Sequence, residues 1–132
     1  MKAPDRGAYL LVIHLKADRE ITIGRLGRFA FRKGFYFYVG SAMRGLTARV
    51  ARHVRRAKKL RWHIDYLLAL PAAQVLAAMP HPSARREECR LNRAVQRLPG
   101  ATVPVPGFGS SDCKEGCPAH LTYFGRRLLL PG

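Results

Sequence analysis

The chain has 132 residues, and 24 Lys and Arg set against 8 Asp and Glu give a formal net charge of +16. That length accommodates one domain with an ordinary core and excludes a multi-domain assembly, while a hydrophobic content of 48% excludes a disordered basic tail. So large a cationic excess on so small a body favours polyanionic partners, nucleic acid ahead of an anionic membrane surface, but names no activity.

The expected location is the cytoplasm. The apolar run Ala8–Ile13 is too short for a signal-peptide core and ends at His14. No segment approaches the ~18 apolar residues of a membrane span. Three cysteines, Cys89, Cys113 and Cys117, are too few and too odd in number for a secreted disulfide framework.

Ala8 to Leu15 is rich in strand formers and is followed by the polar turn Lys16 to Glu20. Ile21 to Ile23 is short and punctuated by Gly24 and Gly27. Phe29 to Phe31 then leads through Arg32-Lys33-Gly34 into Phe35-Tyr-Phe-Tyr-Val-Gly40, the most strand-like segment of the chain. These predict a three-stranded antiparallel sheet. After Gly40 the period changes: Leu46, Val50 and Val54 recur every four residues and predict an amphipathic helix from Gly45 to about Arg56. Its other faces carry Arg49, Arg52, His53, Arg55 and Arg56. Lys58, Lys59 and Arg61 connect to a second helix starting near Trp62, with Ile64, Leu67 and Leu68 buried and Pro71 as its stop.

Gln74 to Met79 reads as another strand. His81-Pro82-Ser83 then offers an N-cap for a third helix that runs to about Leu98, with Leu91, Ala94, Val95 and Leu98 on one side and Pro99-Gly100 ending it. The remainder is punctuated by Pro and Gly. It holds Gly107-Phe-Gly-Ser-Ser-Asp-Cys113, then Cys117 and His120, then a strand from Leu121 to Phe124. The whole is an α+β domain over residues 1–132, with a core of about 7–98 and a C-terminal extension of about 99–132.

Several polar residues stand where the pattern would otherwise bury an apolar one. Tyr9 begins the first strand and Tyr38 ends the aromatic one. Arg49 and His53 share a helix face. Glu87 and Glu88 open the third helix, where an unpaired carboxylate turned toward the core costs several kcal/mol and so calls for a cation. Taken singly, the tyrosines read equally well as strand aromatics and the Arg49-His53 pair as a solvated face.

In order and spacing these residues resemble the GIY-YIG nuclease family. Gly7-Ala8-Tyr9 matches the first triplet with Ala8 in place of Ile, and Tyr38-Val39-Gly40 matches the second with Val39 substituted. An Arg eleven residues beyond Tyr38, a His one turn further and a Glu on a later helix complete the set. Tyr38-Val-Gly-Ser-Ala42, Trp62-His-Ile-Asp-Tyr-Leu67, Glu88-Cys89 and Gly107-Phe-Gly-Ser-Ser-Asp-Cys113 with His120-Leu121 are similar to the Uri-superfamily branch, over nearly the whole chain. Members of that branch are short stand-alone proteins or appendages of DNA-repair glycosylases.

The resemblance implies a three-stranded antiparallel sheet flanked by helices and a DNA endonuclease using one divalent ion, Mg²⁺ or Mn²⁺. Carried over, Tyr9 and Tyr38 activate the attacking water, Arg49 steadies the scissile phosphate, His53 assists proton transfer and Glu88 holds the metal. A tyrosine with a pKa of ~10 is a poor base near neutrality, so cationic neighbours are expected to depress that value. Arg52, Arg55, Arg56, Lys58, Lys59 and Arg61 are assigned to the DNA backbone. A homodimer is compatible with the sequence and not required by it. The alternative is a non-catalytic basic module that binds nucleic acid on the same fold.

Two points stay open at this level. At ~100° per residue Glu87 points nearer the centre of the Leu91, Ala94, Leu98 stripe, whereas family spacing favours Glu88. Cys113, Cys117 and His120, with Cys89 elsewhere, are ligand types that suit a structural Zn²⁺. Their spacing departs from a short knuckle, and a tight turn with buried thiols is the expectation. His63 and Asp65 are read as scaffold contacts and Trp62 as core.

Overall fold

The computed structural model describes residues 4–55, 58–109 and 116–126. Arg56 and Cys113 lie outside these, as does Asp112. The elements in chain order are β1 (Gly7–Leu15), β2 (Arg19–Ile23), β3 (Gly27–Phe31), β4 (Gly34–Ala42), α1 (Leu46–Val54), α2 (His63–Leu68), β5 (Ala73–Pro82), α3 (Glu88–Gln96) and β6 (Leu121–Tyr123). The fold is α+β, with antiparallel sheets and three helices. Among the described residues no helix is long and apolar enough to cross a membrane.

The expected three-stranded sheet is corrected. β1 and β4 pair along their whole length, β5 flanks β1 and β6 flanks β4, giving a four-stranded sheet in the order β5-β1-β4-β6. Among the described residues β2 and β3 pair only with each other, as a hairpin sheet of their own. The pattern of Ile21-Thr-Ile23 identifies a strand but not its partner, because pairing is decided by which edge the loops can reach.

Register places Tyr9 opposite Gly40, Leu11 opposite Tyr38 and Ile13 opposite Tyr36. With side chains alternating in direction, these residues share one face. There they join Leu46 of α1 and Ile64, Leu67 and Leu68 of α2, with Phe31 and Phe108, in the main core. Ala8, Val12 and Val39 alternate with them and are also buried, facing the side where α3 packs on β4 and β1.

The helices are shorter than their sequence patterns, and their buried faces are turned. Val54 is 55% exposed, whereas His53 is 1% exposed. At ~100° per residue, His53 lies only about 20° from Leu46 around the helix while Val54 lies about 80° away, so a strict spacing of four drifts off the core. α3 buries Cys89, Asn92 and Val95, while Ala94 and Leu98 of the expected stripe are exposed. Polar side chains sit inside because they are bonded: Asn92 Nδ2 and Gln96 Nε2 both donate to the Ala119 carbonyl, at 2.8 and 2.9 Å. Ser83 does not cap α3, since its hydroxyl accepts the Arg85 N–H.

Two aspartates fix the helices that border the sheet. Asp5 accepts the backbone N–H and hydroxyl of Thr47 at the start of α1, where its charge suits the helix N-terminus. Asp65 has a fully buried side chain and accepts four hydrogen bonds, two from the Arg52 guanidinium at 2.9 and 3.0 Å and one each from the Arg61 and Trp62 N–H groups. Burial alone would raise its pKa, but these donors hold it below the usual value. Arg52, expected on the DNA-binding surface, is thus held internally and joins α1 to α2. Removing one partner of a buried pair strands the other charge. Asp65→Ala is therefore expected to lower stability by roughly 3 kcal/mol or more in urea unfolding, and a loss below ~1 kcal/mol would contradict this structural role.

Candidate active site

A cleft of about 280 Å³ opens at the end of the β1–β4 pair, and its lining includes Tyr9, Tyr38, Arg49 and Glu88. These residues come from β1, β4, α1 and α3, so the cleft exists only when all four elements are in place. Gly40 makes room for it: a Cβ there would overlap the Tyr9 hydroxyl and ring. Gly7 serves the other neighbour of β1, because its φ is +139° and a Cβ would overlap the backbone at His81 of β5 and at Ser83 just after it.

The Tyr9 hydroxyl oxygen lies 2.6 Å from His53 Nε2, and the Tyr9 and Tyr38 rings are 6.3 Å apart. His53 stands behind Tyr9 rather than in the cleft. Burial is the main reason its pKa falls from an ordinary 6.5 to about 4, with Lys58 pushing the same way and Asp65 opposing. Lys58 is close because its Nζ donates to the carbonyls of Arg52 and His53 at the end of α1. Near neutrality His53 is therefore an uncharged imidazole, able to accept the phenol proton on Nε2.

The tyrosines differ from expectation. Burial raises the Tyr9 pKa well above its ordinary value, and Arg49 offsets this only in part. Tyr38 is raised too, first by burial and then by Tyr9 and Glu88. Both are neutral phenols, so cationic neighbours do not make either one a phenolate.

Arg49 donates to the Ser41 carbonyl at 3.1 Å and lies 4.5 Å from the centre of the Trp62 ring. Arg52 and Arg61 also approach that ring, at 4.3 and 5.0 Å. Such cation–π contacts hold the guanidiniums despite their mutual repulsion. Arg61 and Arg86 line the cleft as well, so among the described residues three guanidiniums face a single carboxylate in its lining, Glu88. Glu87 does not line the cleft and has an oxygen 3.3 Å from Arg90 Nη1. On the face that α3 actually buries, Glu88 lies about 40° from the centre and Glu87 about 140°.

Trp62, Arg86, Ser41 and His63 line the cleft without having been expected there. Trp62 is half-buried and packs on the core, as expected, while its ring also forms part of the wall. His63 Nδ1 accepts the Gly109 N–H at 2.9 Å, leaving the proton of the neutral ring on Nε2. The adjoining motif Trp62-His-Ile-Asp was the available signal for both; Arg86 had none beyond its place before Glu87. Arg55 and Lys59 are exposed and lie outside the cleft lining.

The model of the family described as domain of unknown function DUF123 matches residues 8–130. The chain belongs to the DUF123 family. No curated protein and no solved structure matches it. All the cleft residues of this DUF123 chain lie within the matched span.

The buried His53 gives this DUF123 domain a defined acid sensitivity. The unfolded chain takes up a proton below about 6.5, whereas the folded chain resists until about 4. Stability is thus fully present above the higher value and falls as pH drops through this window, by up to about 3 kcal/mol from His53. His63, also lowered by burial, acts with the same sign. Urea unfolding from pH 7 to 4 should show that loss in the parent chain and a flatter dependence in His53→Phe; equal slopes would contradict it.

Proposed function

We propose that the chain is a metal-dependent endonuclease that hydrolyses phosphodiester bonds in DNA. The observation that carries this reading is the gathering of Tyr9, Tyr38, Arg49 and Glu88 around one cleft, with His53 bonded behind Tyr9. The GIY-YIG resemblance supports it, since the tyrosines of both triplets and the later Arg, His and Glu are the ones that meet. Attack on a phosphodiester requires little covalent help and much charge neutralisation, and the arginines of the cleft suit a phosphate.

Arg49 is pre-oriented by Ser41 and Trp62. In the proposed reaction its planar fork holds two non-bridging oxygens of the scissile phosphate. Tyr38, a neutral phenol, donates to the same group. Tyr9 accepts a proton from the attacking water as its own passes to His53 Nε2, so the neutral imidazole is the final base and no free phenolate is needed. Arg61 and Arg86 guide the flanking backbone, and exposed Arg55 and Lys59 extend the basic surface.

Glu88 suits a hard divalent cation such as Mg²⁺ or Mn²⁺: it is a partly exposed carboxylate in a cleft whose other ligands would be phosphate oxygens and water. Such an ion, when bound, supplies Lewis-acid polarisation and charge neutralisation at the phosphate. The test is cleavage of labelled single-stranded, duplex and branched DNA with Mg²⁺ or Mn²⁺ present. Glu88→Ala should abolish cutting while DNA affinity stays within a few-fold of the parent. Binding without cleavage by the parent chain would favour the non-catalytic module, and equal cutting by the variant would remove Glu88 from the mechanism.

A further inference from the structure

A second cluster of ligand-type side chains lies next to Glu88. The Sγ atoms of Cys89 and Cys117 and a ring nitrogen of His120 all lie within 4.8 Å of one another. Cys89 belongs to the first turn of α3, Cys117 to the loop before β6, and His120 immediately precedes β6. Cys89 and His120 are 5% and 1% exposed. Two segments distant in sequence, the start of α3 and the loop before β6, therefore bring two thiols and an imidazole to one point, with Cys117 partly buried.

The chemistry of this set selects the ion. Thiolate and imidazole ligands favour Zn²⁺ over the hard, oxygen-seeking cations that suit Glu88. Cys89 Sγ is 4.0 Å from His120 Nε2. Tetrahedral Zn–S and Zn–N bonds of ~2.3 and ~2.0 Å put a sulfur and a nitrogen ligand about 3.5 Å apart, so this pair closes on an ion with a shift of only about half an ångström. Two thiolates also balance the charge of one Zn²⁺, releasing two protons to solvent, and this spares the protein an uncompensated buried charge.

The other His120 nitrogen supplies an independent observation. Among the described residues Nδ1 is buried without a hydrogen-bond partner, and it lies 3.7 Å from Glu88 Oε2. When a histidine binds a metal through Nε2, its proton must sit on Nδ1, and that N–H characteristically donates to a carboxylate. The direction needed is the one found here.

We propose that Cys89, Cys117 and His120 bind Zn²⁺, tying the start of α3 to the loop before β6, and that His120 Nδ1–H holds one oxygen of Glu88. The other oxygen is then left for the cleft. The zinc site stands on its own ligands, whereas the catalytic meaning of holding Glu88 rests on the nuclease reading. His120 is on that reading a positioning residue.

The test uses the full chain purified under reducing conditions without chelator. About one zinc per chain is expected. After removal and replacement by Co²⁺, the spectrum should carry the thiolate-to-cobalt charge-transfer band of two sulfur ligands. Cys89→Ser and Cys117→Ser should each halve that band and release zinc to a competing chelator that the parent resists. Glu88→Gln should keep one zinc per chain, with affinity lowered about tenfold, as for loss of a carboxylate behind a histidine ligand. A parent chain that fails to retain added zinc, or a cobalt spectrum without thiolate bands, overturns the site even where a variant fails to fold. Unchanged zinc affinity in Glu88→Gln overturns the link to the cleft. Metal retention is measured without DNA, so its failure is distinct from failure to cut.

Discussion

Pairing Tyr9 of β1 with Gly40 of β4 is the constraint on which the cleft depends. The missing side chain at Gly40 lets the Tyr9 ring pass over the neighbouring strand, and its hydroxyl then reaches His53 on α1. The same register sets Tyr38 opposite Leu11, on the same face as Tyr9. A slip of one residue would turn Tyr9 or Tyr38 to the opposite face and open a gap in the core. The two short triplets thus describe a packing relation: the glycine of one makes space for the tyrosine of the other.

The charge surplus acquires internal structure. Asp65 takes Arg52 inside, and Trp62 gathers Arg49, Arg52 and Arg61 around one ring. Asp5 and Asp18 accept backbone N–H groups, while Glu20 and Glu87 pair with nearby arginines. Glu88 differs from these acids in facing the arginine-lined cleft. Desolvation dominates the titration of the groups beside it, raising Tyr9 and Tyr38 and lowering His53. A neutral Tyr–His pair is the outcome, and it changes the chemistry expected of the tyrosine from phenolate base to proton relay.

Much of this was legible from residue patterns. β1 and the aromatic β4 followed from strand composition, α2 from Ile64, Leu67 and Leu68, and β6 from its short apolar run. What the patterns missed has two physical sources. Strand partnership is non-local, so the hairpin formed by β2 and β3 and the flanking places of β5 and β6 had no local signature. Burial of polar groups depends on distant partners: His53 needs the Tyr9 hydroxyl, and Asn92 and Gln96 need the Ala119 carbonyl. That second source also reversed the helix-face argument for Glu87, because a stripe chosen by hydrophobicity was not the face α3 buries. The cysteines show the same limit: Cys89 and Cys117 are far apart in sequence and meet through the packing of α3 against the strand pair.

The central claim is that Tyr9 and His53 form the base of a phosphodiester hydrolase. Single-turnover cleavage of a labelled DNA substrate by Tyr9→Phe, beside the parent chain and with Mg²⁺ present, tests it most directly. A loss of roughly 10²–10⁴ in rate at unchanged DNA affinity is the predicted result, the size general-base removal ordinarily produces. Cleavage by Tyr9→Phe at the parent rate, or no cleavage of any DNA form by the parent chain, would contradict it.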